Sequence, residues 1–173
     1  FVRGIFNAAD PGKDGTQVKV VDLLDRAATQ ADRNAETAPE TAAALHETLG
    51  STYQGLGLLR KAGPHYARSL ERRRTALGEN DPDTLLSMVN LANTLRAEQK
   101  FDEATAMSLT AWEGLKRARG ENHRDTLIAL ALRAQIEQER GRLAEAEALF
   151  RDVARLGEAI PADDDQAPMW YSS

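Results

Sequence analysis

The sequence predicts an all-α solenoid, a stack of antiparallel helix pairs amounting to three to three and a half repeats. Three observations carry this expectation. Gly78-Glu79-Asn80-Asp81-Pro82-Asp83-Thr84-Leu85 returns as Gly120-Glu121-Asn122-His123-Arg124-Asp125-Thr126-Leu127, an offset of 120 − 78 = 42 residues. The same offset carries Leu49-Gly50 onto Leu91-Ala92, Ala62 onto Ala104 and Ala146, Glu103 onto Glu145, and Gly57 onto Gln99 and Gly141. A fixed period held across turns as well as helices marks a repeat array. Lastly, the runs between turns space their apolar residues by three and four and are poor in β-branched alternation, which excludes propeller blades of similar period.

Residues 1–38 read as a capping half-repeat. Val2, Ile5 and Phe6 share one side of a short helix, which Asp10-Pro11-Gly12-Lys13-Asp14-Gly15 breaks by turn geometry. Thr16 is placed to cap a helix over about 17–34, whose apolar stripe is Val20, Leu24, Ala27 and Ala31. The first full unit, 39–80, turns Leu45, Leu49 and Tyr53 inward and makes its turn at Gly55-Leu56-Gly57. Its second helix starts near Leu59, with Pro64 in the first turn or just past it, where a missing N–H costs least.

The unit 81–122 opens on an Asp81 cap followed by a first-turn proline, Pro82. Leu85, Met88, Leu91 and Leu95 form one buried face; Phe101, Ala104, Ser108, Ala111 and Leu115 form the other. The unit 123–160 repeats the scheme with Leu127, Leu130 and Ala134, a Gly141-Arg142 turn, and then Leu143, Ala146, Phe150 and Val153. Residues 161–173 read as a solvated acidic tail that ends in the apolar cluster Met169-Trp170-Tyr171.

Composition narrows the function. The 173 residues carry a formal charge of −5, from 22 basic and 27 acidic side chains, which argues against general binding to nucleic acid or anionic membranes. With no cysteine there is neither a disulfide framework nor a thiolate metal site. No apolar run is long enough to span a bilayer. The start at Phe1, with no signal-peptide pattern, suggests a piece of a larger protein.

HEAT and armadillo units have periods in the same range, but the order inside each unit separates them from this chain. A bulky-then-small pair (Leu49-Gly50, Leu91-Ala92) is followed three residues later by a large one (Tyr53, Leu95), then a turn, then an alanine twelve after the small residue (Ala62, Ala104, Ala146). Small residues let two helices approach and large ones fill the space beside them. This order resembles the tetratricopeptide repeat, and the extended period with Asn90-Leu91-Ala92 resembles the variant found in kinesin light chains. The resemblance covers roughly 39–158 and implies a right-handed superhelix. Arg133 and Glu137 depart from it, standing where a leucine and a large residue are expected.

A second resemblance concerns the first 80 residues. Phe1, Ile5-Phe6, Ala9-Asp10-Pro11, Val21-Asp22-Leu23-Leu24-Asp25-Arg26-Ala27, Glu47-Thr48-Leu49-Gly50, Tyr53 and Gly57-Leu58 are similar to a segment of some bacterial eukaryotic-like serine/threonine kinases. There the segment joins a membrane helix to a repeat array, which implies an extracytoplasmic array here; otherwise the expected compartment is the cytoplasm. None of the kinase's own motifs is present, so any catalysis belongs to a part outside this sequence.

Candidate chemistry is sparse. His46-Glu47-Thr48-Leu49-Gly50 starts like a zinc-protease helix, but Gly50 stands where the second metal-binding histidine is required. His65 and His123, at repeat ends, read as solvated. Gly55-Leu56-Gly57 lacks the third glycine and the strand of a dinucleotide site. Asp163-Asp164-Asp165 lacks the spacing of a calcium loop. Arg68, Arg72, Arg73, Arg74, Lys116, Arg117 and Arg119 lie late in second helices, where they complement the helix dipole or meet a phosphate. No catalytic residue, metal or cofactor is expected.

What remains is surface. In tetratricopeptide arrays the first helix of each unit lines a concave groove for peptides or partner helices. Carried over by position, that groove presents Ala44, Glu47, Ser51 and Gln54, then Leu86, Val89, Asn90, Asn93 and Arg96, then Ile128, Ala131, Gln135 and Gln138. Asn90 and Asn93 either hold the backbone of an extended peptide, since a carboxamide both donates and accepts, or are solvated or bonded to the neighbouring helix. Leu86, Val89 and Ile128 are either an apolar floor or inter-repeat core. The expected partner is a protein or peptide. The alternative is a homodimer through the open ends or the C-terminal tail, which pairs catalytic domains; Met169-Trp170-Tyr171 would then cover the last helix or occupy a groove.

Overall fold

The computed structural model describes residues 20–33 and 37–158, with the side chain of Val20 left out. All regular structure among them is helical: α1 (Val20–Arg33), α2 (Pro39–Gly55), α3 (Leu59–Leu77), α4 (Pro82–Ala97), α5 (Phe101–Arg119), α6 (Arg124–Glu139) and α7 (Leu143–Gly157). The expected helix at Val2, Ile5 and Phe6, the break at 10–15, the Thr16 cap and the 161–173 tail lie outside the described residues. The chain divides between Arg72 and Arg73 into two compact units.

In unit 1, α1 lays Ala27, Ala28 and Ala31 against α2, and α2 buries Ala42, Ala43, Leu49 and Tyr53. Leu45 is half-buried. The bulky-then-small rule holds at Gly50: a Cβ there would stand 2.9 Å from the Tyr66 ring of α3. Pro64 lies inside α3, just past its first turn, where the sequence puts it. His65 is not the solvated side chain its place at a repeat end suggests. It is buried, 7 % exposed, because it falls three residues after the buried Ala62 and four before Ser69, on the inward face of α3.

Unit 2 contains two helix pairs, α4 with α5 and α6 with α7, and α6 packs on both α5 and α4. Ala104, Ser108, Ala111 and Leu115 are fully buried as the spacing predicts. On α4, Leu85 and Met88 are buried, whereas Leu91 and Leu95 are half-buried. Leu127, Leu130, Val153 and Leu156 form a core joined by Trp112, Ala131 and Leu149. The expected inward face of α7 is therefore rotated. Leu143 and Phe150 are exposed, 65 % and 37 %, because the face that meets α6 runs through Ala146, Leu149, Val153 and Leu156.

Each first helix ends the same way. Leu58 N–H donates to Tyr53 C=O and Gly57 N–H to Gln54 C=O; Lys100 to Leu95 and Gln99 to Arg96; Arg142 to Glu137 and Gly141 to Gln138. This is the Schellman closure, which needs a left-handed residue just past the cap. Gly57, Gln99 and Gly141 have φ of 73°, 62° and 81°. The offset of 42 that aligns these three positions thus aligns one backbone requirement. Each pair in unit 2 also opens the same way: Asp81 Oδ1 accepts from Asp83 N–H at 2.9 Å, and His123 Nδ1 from Asp125 N–H at 3.2 Å. His123 is accordingly a half-buried N-cap, not a solvated side chain.

The two residues that depart from the repeat pattern both find partners. The Arg133 guanidinium lies 4.9 Å from the Trp112 ring centroid, a cation–π contact. Glu137, 7 % exposed, accepts from Thr105 at 3.3 Å and from Arg142 at 3.2 Å. A buried carboxylate is stable only with such partners.

Candidate peptide-binding site

Within unit 2, α4 and α6 contact each other and frame a recess of about 220 Å³. Val89, Asn90 and Asn93 line it from α4; Ile128, Ala131, Leu132 and Gln135 line it from α6. The positions follow from helical spacing. Asn90 and Asn93 are three apart, and Ile128, Ala131, Leu132 and Gln135 recur at three, four and seven, so each set shares a helix face. The floor is apolar, with Val89 and Leu132 buried and Ile128 and Ala131 half-buried. The rim is amide: Asn90 and Asn93 are half-buried and Gln135 is exposed.

Asn93 is oriented by its neighbours. Its Oδ1 accepts from Arg96 Nε at 3.2 Å and from Arg96 Nη2 at 2.9 Å, which leaves its NH2 group as the donor. Arg96 in turn pairs with Glu139 of α6. A guanidinium held by one amide and one carboxylate spans both walls and fixes the Asn93 rotamer.

The other sequence-predicted positions are distributed differently. Leu86 is half-buried on α4 but does not line the recess. Gln138 lines a second recess, about 400 Å³, with Leu143, Ala146, Glu147, Phe150, Arg151 and Ala154. Glu47, Ser51 and Gln54, with Ala44, lie on α2 in unit 1, and Gln54 Oε1 accepts from Tyr66 Oη at 3.0 Å. Two contributors were not foreseen. Leu132, four residues after Ile128, was findable from the apolar stripe; Glu139 carries no periodic signal, since only the geometry of α6 brings it to Arg96.

The described helices include none long and apolar enough to cross a membrane. A tetratricopeptide repeat family model matches residues 40–111 and again 87–159. The chain belongs to the tetratricopeptide repeat family, whose units are non-catalytic scaffolds that generally mediate protein–protein interaction. It has no significant match among curated proteins.

Proposed function

We propose that the α4–α6 recess is a peptide-binding groove, in which the floor takes one apolar side chain and the amides hold the flanking backbone. The observation that carries this reading is the convergence of Val89, Asn90, Asn93, Ile128, Ala131 and Gln135, predicted one by one from sequence, on one concave surface. A floor of Val89, Ile128, Ala131 and Leu132 favours an aliphatic or aromatic side chain by burial. The amide rim recognises main chain and leaves the neighbouring side chains free. The N-terminal resemblance supports a finer reading, in which this module is the extracytoplasmic sensing region of a bacterial serine/threonine kinase. The extended period supports the kinesin-light-chain-like type of repeat.

Selection from a displayed random-peptide library tests the groove. Peptides enriched on the native chain should bind Asn90→Ala/Asn93→Ala at least about tenfold more weakly, with helicity unchanged, for the loss of two amide contacts. Equal binding to both proteins sinks the proposal.

A second reading is self-association, and the exposure of Leu143 and Phe150 around the larger recess favours it. Light scattering across a hundredfold range of concentration decides it. A mass that stays monomeric rejects self-association through α7, and a dimer abolished by Phe150→Glu supports it.

A further inference from the structure

The core of unit 1 contains a chain of polar groups that the groove does not use. Asp32 of α1 lies 3.2 Å from His46 Nε2 on α2, and His46 Nδ1 lies 3.1 Å from His65 Nδ1 on α3. His46 has no exposed surface. The His65 ring centroid lies 5.4 Å from that of His46 and 5.3 Å from that of Tyr53, with the Tyr53 and His65 planes 6° apart. Tyr53 Oη donates to Asp25 at 2.5 Å, and Lys61 Nζ lies 2.9 Å from the same carboxylate. Arg72 and Arg68 meet Asp32 at 2.9 and 3.6 Å.

The hydrogen-bond directions fix the protons. A carboxylate only accepts, so His46 Nε2 carries the hydrogen that points at Asp32. A neutral His46 then has a bare Nδ1, and the hydrogen in the imidazole–imidazole contact belongs to His65 Nδ1. One added proton keeps this contact, since one Nδ1–H still faces one lone pair. A second proton puts hydrogens on both Nδ1 atoms and turns the contact repulsive. The groups facing the pair are Asp25 and Asp32 on α1, Tyr53 on α2, and Lys61, Arg68 and Arg72 on α3.

We infer that the His46–His65 pair is an acid-operated switch, closed at neutral pH and opened by protonation of both rings, which parts α2 from α3 in unit 1. Burial lowers both histidines below their ordinary 6.5; Arg68 and Arg72 push His46 the same way, and the Asp32 carboxylate opposes them. For His65, the His46 ring and Arg68 add to burial, with Asp25 and Asp32 opposing. The folded unit therefore refuses protons that the opened chain accepts below about pH 6.5. The stability from this pair is complete above that value and falls as the pH drops below it. Each refused proton changes the opening constant about tenfold per pH unit.

The sequence supplies its own control. Shifted by 42, His46 and His65 fall on Met88 and Met107, which do not titrate. The test uses the full chain and segment-resolved amide exchange at pH 7.0 and 5.0, corrected for intrinsic rates. Protection within 39–72 should fall at least about tenfold in acid relative to segments of 82–157, and the His46→Met/His65→Met variant should lose this difference. Should that variant fail to fold, imidazole-ring NMR titration of the native chain decides: two separate steps, both below 6.5, support the switch. Rings that titrate together at about 6.5, or protection in 39–72 unchanged at pH 5.0, overturn it.

Discussion

The cores of the two units fill matching positions with different chemistry. The offset of 42 carries His46 onto Met88 and Leu130, His65 onto Met107 and Leu149, and Tyr53 onto Leu95 and Glu137. In unit 2, Leu130 and Leu149 meet in an apolar cluster with Leu127, Val153 and Leu156. In unit 1, the same places hold two imidazoles and a phenol, ordered by Asp25 and Asp32. An apolar core is held by the area it removes from water, which pH leaves alone. A polar core is held by hydrogen bonds whose existence depends on where protons sit.

The largest effect that sharpens this contrast is expected from Leu127→Ala in unit 2, where the side chain is fully buried. The loss should be about 2–5 kcal/mol, and the same at pH 7 and pH 5; denaturant midpoints at the two pH values check it. A loss that varies with pH breaks the comparison. Tyr53→Phe, in unit 1, removes the bond that, with Lys61, holds the Asp25 carboxyl below its usual range. Since the Asp25 side chain is half-exposed, the cost should be about 1 kcal/mol. Asp25's contribution is present above 3.8 and is lost as the pH falls through its lowered folded value. The stability of the phenylalanine variant should accordingly vary less below pH 4. The smallest effect concerns the closure common to both units. Gln99→Gly relieves a left-handed backbone that its counterparts Gly57 and Gly141 adopt without strain, and should raise the unfolding free energy, read from denaturant titration, by about 0.5 kcal/mol. A destabilised variant would mean that the Gln99 side chain contributes more than its backbone costs.

Much of this architecture is visible in the sequence because a period is a long-range signal. Ala62, Ala104 and Ala146 are all buried, and the recess gathers residues named from two separate repeats. The failures are local. His46 stands three before Leu49 and seven before Tyr53, squarely on the buried stripe, yet its residue type suggests a ligand or a solvated side chain. Only the partner on α3 shows why burial is tolerated. On α7, Leu143 and Phe150 belong to one apolar stripe and Leu149 and Leu156 to another that overlaps it. Spacing alone cannot say which stripe meets α6. Gln138 follows Gln135 by three residues on the same face, but it stands at the end of α6, where the other lining residues come from α7, so it belongs to another recess.

The Asp81 and His123 caps have a consequence for chain length. Each is a two-residue ring at a seam, preceded by Gly78 or Gly120 at φ 93°. Inside a helix, one inserted residue rotates everything after it by about 100° and turns a buried stripe toward water. At the seam, the ring starts the next helix afresh, so its rotational phase is set locally and not inherited from the helix before. One period, residues 81–122, can thus be inserted again between Asn122 and His123 with its phase intact, and the array can lengthen in steps of that period without redesign of its interior.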